Sequence, residues 1–339
     1  MRPRRRPRHL LAIVLLAQVA LGCLSDGPDT DPDQQLALHR ECALRYYDEG
    51  DLLRAEDQVD RGLEIAPRDD QLRLMKGWIR QRRGTPEDIY VAEQTFRQLA
   101  PGRDYRALLG LAEALERKGV LYWEAADTVD EADETAVARE EELRGKARAA
   151  WEESIEFYGK TLERKPGAQQ ALNGLQRVHA LRGELEEALA WSEKLLEQSA
   201  GETAFWEKQL ERPELSADEE DRLRSLLLQS RDLAAGTHLQ ASTLLVGLER
   251  REEALEHVDR ALELDPEAAE SHSRRAQLLH ALGRPVEAIA SLESYLRLSE
   301  ESFDHPDVAR ALDLLTTWKS EVELGYEAGG AERPSAELP

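Results

Sequence analysis

The chain is poor in the residues from which reactive centres are built. It has two cysteines and no CxxC pair, and none of its eight histidines stands four residues from another, so no HExxH motif is present. A GxSxG elbow and a phosphate-cradling glycine loop are also missing. An enzyme needs a convergent set of acid, base, nucleophile or metal groups, and no motif supplies one. The chain is therefore expected to have no catalytic residue, no cofactor and no metal, and no small-molecule substrate is expected. His272 and His280, two turns apart, are read as surface residues rather than ligands. Aromatics make up 5% of the chain, and no β-rich run competes with helix. The strongest apolar run, Leu10 to Leu21, is twelve residues and too short to span a bilayer comfortably.

Charged residues form 33% of the sequence, and Ala, Leu, Glu and Arg are abundant, which favours helices with one buried stripe and a solvated opposite face. The net charge is -23, and removing Met1 to Gly22, with five arginines and no acid, takes it to about -28. Such a surface repels phosphate backbones, which excludes nucleic acid as a partner. It also disfavours anionic lipid, so any membrane association needs an anchor.

The order in the sequence is a repeat. Ala254, Val258, Ala261 and Pro266 begin a segment whose small residue returns 34 residues later as Ala288. A period of that length marks a stacked helical hairpin. The small side chain lets two helices approach, the apolar residue four later shares its face, and proline stops the second helix. The pattern resembles the tetratricopeptide repeat. A first copy has Tyr46, Gly50, Ala55, Val59 and Pro67, with Gly62 where that family prefers alanine. A second has Gly77, Gly84, Ala92 and Phe96, with three extra residues in its turn and an early Pro101. The third begins with Leu108, Leu111, Ala112 and Gly119 and resumes with Ser154, Tyr158, Thr161 and Pro166. The fourth has Leu172, Leu175, Gly183 and Ala188. The fifth has Leu245 and the Ala254 set with Glu249 at the turn, and the sixth Ala276, Leu279, Gly283, Ala288, Leu292 and Tyr295. The resemblance implies an all-α fold, a right-handed superhelical solenoid of stacked antiparallel helix pairs forming one elongated domain over residues 36–303.

Two insertions interrupt the period. The one near 120–147 opens with Leu121, Tyr122 and Trp123 and is expected to lengthen the third hairpin. Glu140 with Arg144 and Glu142 with Lys146 support an exposed helix there. It is either a solvated extension or a partner-specific arm. The segment near 201–235 occupies about the space of one hairpin, with Phe205, Trp206 and Leu210 on one helix, Pro213 as a break, and Leu223, Leu226, Leu227 and Leu233 on another. It is expected to stack in line. Over 304–324, Pro306 opens a helix whose Val308, Ala311, Leu315, Trp318 and Val322 share a face and cover the end of the stack. Residues 325–339 read as a disordered tail.

Residues 1–22 read as an export signal, with a basic start, the apolar run and Gly22 before Cys23. The run Ala20, Leu21, Gly22, Cys23 resembles a bacterial lipobox, which implies lipidation at Cys23, whose thiolate takes a diacylglyceryl group. Ordinary signal cleavage is the alternative. Leu24 after the cysteine, where enteric lipoproteins retained in the inner membrane carry Asp, points to the outer membrane. Residues 23–35 form an acidic tether; Leu24 to Gln34 at ~3.3 Å per residue reach roughly 35 Å. Cys42 falls on the packing side of the first helix and, with Cys23 acylated, is expected to be a lone core thiol, although a mixed disulfide with another protein stays open.

A helical solenoid offers a concave surface lined by the first helix of each hairpin. On that pattern Arg40, Tyr47, Trp78, Arg82, Asn173 and Arg177 are the candidate partner-groove residues, arginine and aromatics being the usual anchors of a partner. Trp78 fits equally between hairpins. The chaperone-tail clamp of the family uses Lys and Asn where Arg40 and Leu44 stand, so that activity is not implied. The expectation is a periplasmic lipoprotein that binds another envelope protein or peptide, held to the membrane by its N-terminal lipid. It resembles lipoproteins of type IV and tight-adherence pilus assembly, which implies a secretin-assembly role as one alternative. A periplasmic ligand-binding or sensor module, with a closed cavity beside Trp123 or Trp206, is another. An envelope enzyme would need His, Glu and Asp converging from distant repeats.

Overall fold

The computed structural model describes residues 31–129, 136–302 and 305–329, with side chains to Leu324. The export signal, Cys23, most of the tether and residues 330–339 lie outside the described residues. Among the described residues there are thirteen helices and no strand: α1 Pro32–Asp48, α2 Leu52–Ile65, α3 Asp70–Arg83, α4 Pro86–Leu99, α5 Tyr105–Asp127, α6 Ala136–Arg164, α7 Gln169–Leu181, α8 Leu185–Leu210, α9 Ala217–Gly247, α10 Arg251–Leu264, α11 Ala269–Ala281, α12 Pro285–Leu298 and α13 Pro306–Gly329. This is an all-α helical repeat array. Contacts fall into two compact parts, one to Gly174 and one from Leu175, where the sequence reading has a single domain. In the first, α1 to α6 pack in sequence; in the second, α8 to α13 do the same.

The hairpins close where the backbone turns left-handed. Gly50, Gly84, Gly183 and Gly283 hold φ of 80°, 73°, 77° and 74°, and Glu249 takes the same place at 61°. Glycine meets no Cβ clash there, whereas Glu249 does. Asp51, Asp69, Thr85 and Asp104 then start α2 to α5 by accepting from a backbone N–H with their side chains.

Helices cross where the repeat puts its small residue. Ala55, Ala92, Ala188, Ala254 and Ala288 are all fully buried, as are Val59 and Val258 four residues on. Ser154 holds this position in the third hairpin, its hydroxyl donating to the Ala112 carbonyl at 2.7 Å so that no polar atom is stranded. Phe96 packs against Gly77 and Gly110, where an added Cβ would stand 2.6 Å from the ring on either side.

Both insertions lengthen a hairpin. Helix α5 runs on to Asp127 and α6 starts at Ala136, so residues 120–127 and 136–147 lengthen this helix pair. Its seam is sealed by Ala126, Ala136, Ala147 and Trp151, all buried. Arg144 lies 4.4 Å from the Trp123 ring centroid and bonds Glu140 at 2.8 Å, and Lys146 bonds Glu142 at 2.5 Å. The in-line hairpin expected near 201–235 does not form as a unit. No proline stands between Ala188 and Leu210, and α8 runs through Gly201 on to Leu210. Pro213 lies in the bend, and α9 restarts from a Ser216–Glu219 capping box and continues to Gly247. The extra residues lengthen a hairpin rather than add one.

Two boundaries move, and one thiol is reassigned. Helix α1 begins at Pro32, inside the stretch read as tether, because proline at a first turn has no N–H to satisfy. Helix α13 buries Val308, Ala311 and Trp318 and continues to Gly329, past the expected end at 324. Cys42 is fully buried on α1 but is not a free thiol, which corrects the lone thiol expected there.

Candidate functional site: a groove on α1, α3 and α5

The first helices of the first three hairpins touch one another, α1 on α3 and α3 on α5. Together they line a groove of about 420 Å³. Arg40, Leu44, Tyr47 and Asp48 come from α1, Gln71, Leu72, Leu74, Met75 and Trp78 from α3, and Arg106 from α5. Spacings of four and seven, as in Arg40, Leu44 and Tyr47 or Gln71, Met75 and Trp78, hold these side chains on one face.

Its polar groups are set by neighbouring carboxylates. Arg40 donates to Asp69, which also accepts the Leu72 N–H at 2.8 Å as the cap of α3. Burial pushes the Asp69 carboxyl up, but these bonds outweigh it and hold the group below the usual carboxylate range. The Nε of Arg40 is buried with no hydrogen-bond partner among the described residues. Arg106 forks onto Asp104, with its Nη2 2.6 Å from one carboxylate oxygen. Arg82 stacks 4.9 Å from the Tyr47 centroid and donates to the Tyr47 carbonyl at 2.5 Å. Burial raises the Tyr47 phenol above its ordinary value, partly offset by Arg82.

The apolar part of the groove is Leu44, half exposed, with Met75 and Trp78. Trp78 does both things open to it: its edge meets Phe96 with centroids 5.1 Å apart, and the rest of the half-buried ring lines the groove. The structure thus brings Arg40, Tyr47 and Trp78 to one groove with Arg82 beside it. Asn173, half-buried, and Arg177, exposed, are carried by α7 and do not line it. Sequence reasoning missed Gln71, Met75 and Arg106, of which the first two were findable from the spacing to Trp78.

Elsewhere the ionisable groups tie helices together. Asp88, 2% exposed, bonds Arg80 at 3.0 Å and the Thr85 hydroxyl at 2.8 Å, and Arg80 and Arg83 also reach Glu56. Burial pushes Asp88 up, but Thr85, Arg80 and Arg83 together hold it down. Glu93 is gripped by Arg97 and Lys118 in the same way. His238 and His257 face each other with Nδ1 atoms 3.0 Å apart. His272 bonds the Pro266 carbonyl, and His280 stacks on Trp318 with centroids 4.3 Å apart. Among the described residues no three His, Cys, Asp or Glu side chains are grouped to hold a metal ion.

A family model for the tetratricopeptide repeat matches residues 239–303, the end of α9 through α12. No curated protein matches the chain. Among solved structures it is similar to Pseudomonas aeruginosa pilF, with 14% identity over 86% of this chain and 99% of that one and a TM-score of 0.48. It is also similar to a tetratricopeptide repeat protein from Parabacteroides merdae ATCC 43184 (15% identity, 84% and 99% covered, TM-score 0.37). A third is a thermophilic TPR protein of Thermus thermophilus (16% identity, 86% and 99% covered, TM-score 0.32). The family match runs from the end of α9 through α12, and the same fully buried small residue recurs at Ala55, Ala92, Ala188, Ala254 and Ala288, so residues 239–303 carry the tetratricopeptide repeat within an all-α helical repeat array.

Proposed function

We propose that this chain is an exported, lipid-anchored scaffold that holds an extended segment of another envelope protein in the groove of α1, α3 and α5. The tetratricopeptide fold suggests a protein–protein interaction role, and the groove gives that role a place. The observation that carries the reading is the combination of half-buried Trp78, Tyr47 and Met75 with Arg40 and Arg106 in one depression. Aromatics supply buried area, and arginine supplies forked donors that suit carbonyls and carboxylates. No enzymatic step is assigned.

Export and anchoring rest on the basic start, the apolar run and Cys23, and the outer membrane is the destination that Leu24 favours. Two acyl chains or more are needed for stable attachment. With two cysteines in the chain, a disulfide at Cys42 within one molecule and a lipid on Cys23 exclude each other, so the mass of the mature N-terminus decides between them.

The test is photocross-linking in cells with the reactive group in place of Leu44. One envelope protein is expected to be trapped, and Trp78→Ala, checked by circular dichroism to be folded because its ring edge also packs on Phe96, is expected to abolish the product. Trapping that survives Trp78→Ala would place the partner elsewhere. In the same cells Cys23→Ala is expected to leave the membrane fraction; retention there unprocessed would replace the lipid with a plain anchor helix.

A further inference from the structure

The hairpin of α8 and α9 outgrows its own core. Its helices have 26 and 31 residues, against 14 in each of α10 and α12. Below the extension the seam is buried at Leu195, Ser199, Ser230 and Ala234, and the Thr203 hydroxyl meets that of Ser230 at 2.9 Å. Beyond it, no residue from Gly201 to Gln229 is buried. The stretch nevertheless carries Phe205, Trp206, Leu210, Leu223, Leu226, Leu227 and Leu228. Phe205 and Leu228 are 51% and 59% exposed, and the Phe205 and Trp206 rings meet edge to face with centroids 4.8 Å apart.

Length alone does not cause this. The extension of α5 and α6 is comparable, yet alanines let its helices close and its seam is buried. The α5–α6 extension closes on Ala126, Ala136 and Ala147, whereas the α8–α9 extension carries the exposed Phe205 and Leu228 and buries no residue. Two helices shield an apolar stripe only along their shared seam, and a third is needed to cover the rest. The capping box at Ser216 and the Arg231–Glu207 pair at 2.8 Å hold the extension helical as it stands.

Charge selects what fits on it. Residues 201–230 contain eight acids and four bases, and Arg224 is paired with Glu220. We infer that this extension is a second docking surface, separate from the groove, for a basic amphipathic helix of a partner protein, which covers Phe205 and Trp206 and completes a three-helix bundle. A second copy would bring acid against acid, and anionic lipid would be repelled in the same way.

The probe is an 18-residue Lys/Leu amphipathic peptide titrated calorimetrically into the full chain, with a Glu/Leu peptide of the same pattern as control. The Lys/Leu peptide is expected to bind, Phe205→Glu to weaken it at least tenfold, and Trp78→Ala in the groove to leave it unchanged. Phe205 is exposed, so the variant is expected to melt like wild type; Leu228→Glu tests the other side of the hairpin independently. Equal binding of the two peptides, or binding indifferent to both Phe205→Glu and Leu228→Glu, would overturn the inference. So would a dimer in sedimentation velocity, or flotation with anionic vesicles, that Phe205→Glu abolishes.

Discussion

Glu249 occupies a left-handed turn that glycine fills in four other hairpins, at φ of 61°. A side chain there costs about 1 kcal/mol, so Glu249→Gly is expected to raise stability by about that amount; urea unfolding at neutral pH measures it, and a loss of stability would mean that the carboxylate makes a contact worth more than the strain. The His238–His257 pair has the opposite character. Burial, then His257 and Arg260, depress His238 from its ordinary value to about 4, with Glu263 acting weakly the other way. Burial also lowers His257, against the pull of Glu193, Glu256 and Glu253 and with Arg250 adding to it. Unfolding frees both imidazoles to take protons at about 6.5. Their neutral packing therefore contributes fully above that pH and is lost as pH falls from there toward 4. Both residues are half-buried and reached by solvent, which limits the effect to the order of 1 kcal/mol. His238→Gln is expected to flatten the fall in Tm between pH 7 and pH 5, and an unchanged slope would assign the acid sensitivity to other groups.

At the scale of the helix and the hairpin, what could be read in advance was whatever is decided by neighbours in sequence. Ala254 with Val258, or Ala55 with Val59, announce a crossing because helix geometry puts them on one face and only a small side chain lets the next helix approach. Turn glycines and Pro306 are legible for the same reason. The fate of 201–235 was not, because it turned on whether α8 had a reason to stop after Ala188; no proline or capped turn intervenes, and the helix simply continues. The groove was half legible: Trp78 and Tyr47 announce themselves as aromatics, whereas Arg106 reaches the groove from a third helix, a relation no local spacing encodes. Two substitutions test the packing argument. Phe96→Ala removes the ring wedged between Gly77 and Gly110 and is expected to cost about 3–5 kcal/mol. Asp88→Ala leaves Arg80 without its buried carboxylate partner and is expected to cost about 3 kcal/mol. Chemical denaturation reads both, and a loss under about 1 kcal/mol at either site would show that α3 and α4 do not depend on it.

Within each compact part, and among the described residues, hairpins pack on those next to them, so stability there is a sum of local terms and nearest-neighbour interfaces. The buried clusters agree, one gathering Cys42, Ala55, Val59 and Leu72, and another Ala188, Leu245, Ala254, Leu279 and Trp318. Damage at one point should then spread a short way along the chain and fade. Phe96→Ala is expected to speed amide hydrogen exchange through α3, α4 and α5 by ten-fold or more while α10 to α12 keep wild-type protection. A cavity made at Leu279→Ala should do the reverse, opening α10 to α12 and sparing α3 to α5. If either substitution loosens every helix equally, the array unfolds as one cooperative body. The scaffold reading would then need a partner that recognises the molecule as a whole, because a groove on α1, α3 and α5 could no longer be altered without disturbing the extension of α8 and α9.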